Sequence, residues 1–456
     1  MRYIYFPILI IGMFFIQSCK KGAPSNTADT TLPDSVPPKN VILMISDGCG
    51  FSQVEAASYF QFGETGKAPY DTFAVRLAMS TFSAGGDYLS DSAWLSFDYI
   101  LRKPTDSAAA ATAMASGEKT YNGAIGVDVD KKPLVSSFER ADSLGKATGV
   151  VTSVPLSHAT PAAFGAHNVS RKNYAEIGRE MIMESPLEVI MGAGHPYYDA
   201  EGKKRDVPVF DKVGGPQTWA ALLAGKAGAD ADGDGRDDPW TLIEKKEDFR
   251  KMARGTELTR LIGIPFAGTT LQEERAGDPH AAPFTVPFND NVPTLADMSL
   301  AALNVLNNDP DGFYLMIEGG AVDWAGHANR KSRVIEEEID FNKTVAAVVN
   351  WIENNGGWNK NLLIVTGDHE TGFLSGPESV FKGTMRWQPV QNRGKGNMPA
   401  MEWNATYHSN SLIPFYAHGK GSVVFKNYAT LRDSVRGAYL DNTHIARAMM
   451  SFLKKQ

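Results

Sequence analysis

The 456-residue sequence is poor in cysteine, with Cys19 and Cys49 its only two, and has no block of lysine or arginine to offset its balance of 45 Lys+Arg against 52 Asp+Glu. The missing basic blocks exclude a broad nucleic-acid surface, because such binding neutralises phosphates with clustered cations. No internal repeat is visible, and no apolar run comfortably spans a membrane; the longest, residues 4–16, is broken by Pro7 and Gly12. With 43% hydrophobic and 21% charged residues, the composition excludes disorder and collagen-like fibre. What is left is a mildly acidic globular chain, long enough for one large α/β domain or several smaller ones.

The N-terminus is the first positive feature. Arg2 precedes the apolar run, and Gln17-Ser18-Cys19 follows it. This is the layout of a signal peptide over 1–18, and Cys19, after a small residue and with Ile16 three positions before it, resembles a bacterial lipobox, although Gln17 is atypical there. The alternative is an ordinary secreted protein cut nearby. With Cys19 lipidated, only Cys49 remains as a thiol, so no intrachain disulfide can form. Residues 19–39, rich in Lys, Ser, Thr, Asp and Pro, read as a flexible tether. The expectation is an exported lipoprotein, membrane-anchored and periplasmic or cell-surface.

From residue 40 onward, short apolar runs at 41–45, 149–152, 188–191, 313–317, 362–365 and 413–416 alternate with helical patterns at 107–116, 294–307 and 334–353. Strands apolar on both faces belong in a mostly parallel sheet covered by helices, so 40–456 is read as one large α/β domain. Residues 374–406 interrupt the rhythm as an insertion. A second interruption, Asp230, Asp232 and Asp234 with Asp238, imitates the first positions of a calcium loop, but Thr241 stands where a bidentate Glu would complete it. Calcium and a solvated acidic turn are both open readings there.

Metal-binding residue types fall just beyond the carboxyl ends of these strands, the edge where open α/β sheets bind ligands. Asp47 follows the first run; His158 and Thr160 follow the second, with Arg171 further on. Glu318, Asp323 and His327 follow the run at 313–317, Asp368 and His369 follow 362–365, and His408 precedes 413–416. Each alone has a plain structural explanation: a helix cap, a core salt bridge, an i,i+4 surface pair. Together the carboxylates and three imidazoles suffice for two four-coordinate zinc sites. Ser107 is the candidate nucleophile, placed by its cap Asp106 and the alanines 108–111 at the positive end of a helix.

The segments DGCG, DSAAAATA, SHATPAAFGAHNVSRKNY, IEGGAVDWAGHANR, VTGDHETG and YHSNSLIPFYAHG, in that order, closely resemble the alkaline phosphatase family from about Asn40 to the C-terminus. The resemblance implies an α/β fold with a central, mainly parallel sheet flanked by helices on both faces, commonly a homodimer, cleaving phosphomonoesters with two zinc ions and one magnesium. Carried over by matching residues, Asp323, His327 and His408 are implied as ligands of the first zinc, and Asp47, Asp368 and His369 as those of the second. Ser107 is implied as the nucleophile, to form a phosphoserine. Asp47, Thr160 and Glu318 would hold magnesium, and Arg171 would grip the phosphate. His158 stands where some bacterial members have Asp, so an indirect, water-mediated influence on the third metal is expected. Pro104 replaces a usual aliphatic residue, and Cys49 reads as packing. Two rivals remain: a phosphodiesterase or sulfatase of the same superfamily, and a non-catalytic lipoprotein binding phosphate or calcium.

Overall fold

The computed structural model describes Met1 and residues 37–453, apart from 232, 383 and 384. The signal peptide, Cys19 and nearly all of the tether therefore lie outside the described residues. The chain divides into a unit Met1–Asp34 and a unit Ser35–Gln456, and every described helix and strand belongs to the second.

The main sheet has eleven strands: β1 (Asn40–Ser46), β2 (Val75–Ser80), β3 (Ala147–Pro155), β4 (Val189–Ala193), β5 (Thr241–Ile243), β6 (Leu261–Gly263), β7 (Phe313–Gly319), β8 (Asn361–Gly367), β9 (Ile413–Gly419), β10 (Leu431–Asp433) and β11 (Gly437–Asp441). Their order is β10-β11-β2-β9-β8-β1-β7-β3-β4-β6-β5. All but β9 and β10 run in one direction. β9 departs from the parallel reading of its apolar run, for a reason visible in the chain path. β8 ends at the carboxyl edge, and residues 368–412 stay there to deliver His369 and His408, so β9 starts at that edge and runs back. β2, β5, β6, β10 and β11, short or polar on one side, gave no apolar run in the sequence.

Alternation with period two explains the layers. Val41, Leu43 and Ile45 of β1 enter one apolar cluster with the helices Ser107–Ser116, Ala159–Gly165 and Tyr174–Met183; Ile42 and Met44 enter the other with Leu295–Leu306 and Lys331–Asn354. All five are fully buried, each worth roughly 1.5–3 kcal/mol of hydrophobic stabilisation. The expected helices thus appear within a few residues of their predicted ends. Among its described residues, the 374–406 segment has no long helix or strand. It is tied by single bridges, Ser375 to Glu402 and Gln391 to Ala400, and packs Leu374, Val390 and Met401 against Ile335 and Ile339.

Register sets the site. Ser46 pairs with Gly319 on one side and Gly367 on the other, and Thr152 pairs with Glu318. β1, β7 and β8 therefore end level, and the next residues, Asp47 and Asp368, emerge side by side next to Glu318.

Candidate active site

Gly48 allows the first carboxylate to reach the centre. Its φ is 74°, and a Cβ there would lie 2.7 Å from the Asp323 Cα and 2.8 Å from Thr371 Oγ1, so only glycine lets the chain turn this close to the helix Ala321–His327. The Gly48 N–H also donates to Asp368 Oδ1 at 3.0 Å.

Ser107 opens the helix Ser107–Ser116. Asp106, its N-cap, accepts from the Ala109 N–H at 3.0 Å through Oδ1, and the same oxygen accepts from the Gly123 N–H at 3.0 Å. Its second oxygen accepts from Arg171 Nη1 at 3.0 Å. One carboxylate thus caps the helix of Ser107 and holds the arginine, a second duty that the sequence pattern did not signal.

The three imidazoles share one orientation. His408 Nδ1 lies 2.7 Å from the Thr105 carbonyl and His327 Nδ1 2.7 Å from the Thr406 carbonyl. A carbonyl only accepts, so in each neutral ring the proton sits on Nδ1 and Nε2 is bare. His369 Nδ1 lies 3.3 Å from Thr371 Oγ1, whose hydroxyl donates to Asp323 Oδ1; the hydroxyl is spent, so Nδ1 is again the donor. The three bare Nε2 atoms point inward. His408 Nε2 is 3.1 Å from His327 Nε2 and 3.4 Å from Asp323 Oδ1, and His327 Nε2 is 3.4 Å from Asp323 Oδ2. His369 Nε2 faces Asp368 Oδ2 at 3.2 Å, Asp47 Oδ1 at 3.5 Å and Ser107 Oγ at 3.2 Å.

Lone pairs facing lone pairs and carboxylates call for cations. Both carboxylate oxygens of Asp47, Asp368 Oδ2, Glu318 Oε1 and Thr160 Oγ1 are buried without a hydrogen-bond partner, a costly arrangement unless an ion takes those electrons. Among the described residues, three groupings bring ligand atoms within 4.8 Å of one another: Asp323, His369 and His408; Asp47, Asp368 and His369; and Asp47, His158 and Glu318. These residues fit metal ions.

The electrostatics agree. Burial, then the Asp368, Asp323 and Glu318 charges, pushes Asp47 well above the usual carboxylate range. Burial lifts Asp368 to about 6 and Glu318 to about 7, the latter against a hydrogen bond from the Thr152 hydroxyl. Burial would also lift Asp323, but the hydrogen bond and charge of His408, with His327 and His369 nearby, hold it well below that range. His408 is raised in turn, since Asp323 outweighs its burial. The pocket favours positive charge at this point.

His158 differs from the other imidazoles. Arg171 Nη2 lies 3.2 Å from its Nε2, and a guanidinium only donates, so His158 accepts there and carries its proton on Nδ1, which is buried without an acceptor. Burial and the Arg171 charge lower its pKa to about 3, so the ring stays neutral. Within the third grouping, a proton-bearing His158 Nδ1 suits donation to a water near Asp47 and Glu318 rather than ligation.

An open pocket of about 350 Å³ joins these groups: Ser107, His158, Arg171, Asp323, His327 and His408 line it, with Trp324 and Tyr407. Thr371, Trp324 and Tyr407 stand inside the motifs, but only tertiary contacts reveal what they touch. Cys49 is buried with Val322, Ala325 and Val334 and lies 3.3 Å from Glu338 Oε2, a packing position. The aspartate loop contributes nothing here. Asp230 accepts from the N–H groups of Gly233 and Gly235 at 2.8 and 2.9 Å, and Asp232 lies outside the described residues.

Comparison with known proteins is consistent with this geometry. The family described as alkaline phosphatase matches residues 38–436. The chain is 32% identical to the alkaline phosphatase of Escherichia coli (strain K12) over 373 residues, covering 76% of this chain and 74% of that one. It is 30% identical to alkaline phosphatase 3 of Bacillus subtilis (strain 168) over 349 residues, 75% of this chain and 63% of that relative's length. Among solved structures, a histidine-to-aspartate variant of the alkaline phosphatase from the Antarctic bacterium TAB5, with magnesium bound in its M3 site, superposes with a TM-score of 0.63 at 25% identity, covering 92% of this chain and 99% of that one.

Proposed function

The chain belongs to the alkaline phosphatase family, and from that membership we propose that it is a metal-dependent phosphomonoesterase, passing the phosphoryl group to Ser107 and then to water and releasing inorganic phosphate. Asp323, His327 and His408 would hold one zinc ion and Asp47, Asp368 and His369 a second. Asp47, Thr160 and Glu318 would hold magnesium, with His158 donating to a water in that shell; the magnesium in the TAB5 variant supports this third ion. When bound, these cations supply Lewis acidity that offsets charge on the oxygens of the reacting centre.

The chain's own residues do the rest. Ser107, at a helix N-terminus whose free N–H groups favour an anion, gives its proton to solvent water and attacks phosphorus in line with the leaving oxygen, which is protonated from water as it departs. The Ser107 Oγ–P bond forms as the P–O bond to the leaving group breaks. Arg171, one prong held by Asp106, offers its remaining donors to the non-bridging oxygens, where most of the charge resides. Water then attacks the phosphoserine and restores the serine.

The observation that carries this reading is the shared orientation of the three imidazoles, all with bare Nε2 atoms turned toward the carboxylates and, through His369, toward Ser107. The test compares an aryl phosphomonoester with the diester, zinc and magnesium supplied, for the wild type and Ser107→Ala. The monoester should be preferred, and the alanine variant should lose at least about a thousandfold in kcat. A diester preference, full activity in the variant, or no turnover with phosphate bound would each overturn the reading, the last in favour of a binding protein. We also read the protein as an exported homodimer anchored through Cys19, on the N-terminal sequence and the family resemblance.

A further inference from the structure

Resting on the phosphomonoesterase reading, we infer that Tyr407 is a specificity-determining residue, an aromatic wall that selects phosphomonoesters with planar, aromatic leaving groups. Its ring lies parallel to that of His408, with centroids 4.4 Å apart and an interplanar angle of 9°, and 5.5 Å from that of His327. One face is thus spent on the histidines; the residue is 51% exposed and lines the pocket that holds Ser107.

The backbone that carries the ring is held before any substrate arrives. The Tyr407 carbonyl accepts from the Gly372 N–H at 2.9 Å, and its neighbours on either side are pinned, Thr406 by its carbonyl to His327 Nδ1 and His408 by its Nδ1 to the Thr105 carbonyl. A preorganised ring avoids most of the ordering cost of binding. Its place decides what it meets. Ser107 Oγ touches His369 on one side of the centre, and in-line displacement puts the leaving oxygen on the other, toward His327 and His408. The group beyond that oxygen emerges beside the open face of Tyr407, where an aryl or heteroaryl ring can stack and an alkyl chain gains little.

The test measures binding by calorimetry on the zinc- and magnesium-loaded protein, using phenylphosphonate and methylphosphonate, which present the two group types without turnover. Wild type should favour phenylphosphonate. In Tyr407→Ala that preference should shrink about three- to tenfold, as expected for loss of one aromatic pair, and in Tyr407→Phe it should survive. An unchanged preference in the alanine variant overturns the inference. So does an equal loss for both phosphonates together with lost zinc, which would mark Tyr407 as a prop for His327 and His408. If wild type binds neither phosphonate nor inorganic phosphate, the phosphomonoesterase reading itself fails, an outcome distinct from the other two.

Discussion

The two edges of one sheet bury carboxylates in different ways. At the carboxyl edge, Asp47, Asp368 and Glu318 converge on three imidazoles with several oxygens left without donors. At the amino edge, a cavity of about 480 Å³ is lined by Asp142, Glu188, Asp230, Asp238 and Arg260. Burial raises acids there too, Asp142 to about 6 and Glu188 to about 8. Yet Glu188 Oε2 accepts from the Thr148 N–H at 2.6 Å, and Arg260 donates to the carbonyls of Ser185, Ala229 and Asp238 while stacking on Trp240. No imidazole lines that larger cavity. Neither raised carboxyls nor volume makes a reactive site; convergence of bare nitrogen and oxygen lone pairs does.

The strongest way to break this contrast is to remove a carboxylate from the carboxyl edge. Asp323→Ala should release zinc, read by metal analysis, and lower phosphomonoester hydrolysis at least about a thousandfold, because several kcal/mol of charge stabilisation go with the ion. Retained zinc and activity would show that the convergent set is not the metal centre. A gentler probe is Thr371→Val, which removes the hydroxyl that accepts from His369 and donates to Asp323. With every ligand intact, zinc affinity by competition with a chelator should fall about 10- to 100-fold, the usual scale for a residue that orients a ligand.

The last probe belongs to the amino edge, and it concerns stability rather than activity. Glu188 has its folded pKa raised from 4.5 to about 8, mainly by burial, so the fold favours the protonated acid. Its contribution is fully present below about pH 4.5, is lost progressively as pH rises toward about 8, and is level beyond. Glu188→Gln cannot ionise, so urea unfolding of wild type and variant at pH 5 and pH 8 should show the variant gaining relative stability at the higher pH, about 3 to 4 kcal/mol from the shift of 4.5 to about 8. An equal difference at both pH values would mean that Glu188 titrates normally.

Much of the fold was legible because its central strands are apolar on both faces. Runs such as 41–45 and 313–317 read as buried strands between helices, and the alanines after Ser107 read as a helix start. Less legible were β2, with its exposed Arg76, and the direction of β9, since hydrophobicity carries no sign of chain direction. In the site, the carboxylates and imidazoles could be nominated from their places beside the strands, whereas Trp324 and Tyr407, which line the same pocket, could not. Nor could the partners of those side chains. Thr105, Thr406 and Thr371 set the imidazole tautomers through two carbonyls and one hydroxyl, contributions that no residue pattern encodes.

The sequence by itself determined the fold class and the family, and it nominated a serine, carboxylates and imidazoles, because strand periodicity, helix capping and ordered motifs are local properties of the chain. Only the tertiary structure decided that Asp106 serves both Ser107 and Arg171, that His158 joins Asp47 and Glu318 with a proton-bearing nitrogen, and that Asp230 and Asp238 line the amino-edge cavity. Those facts depend on register between strands far apart in sequence, and on which atom of a side chain faces which neighbour.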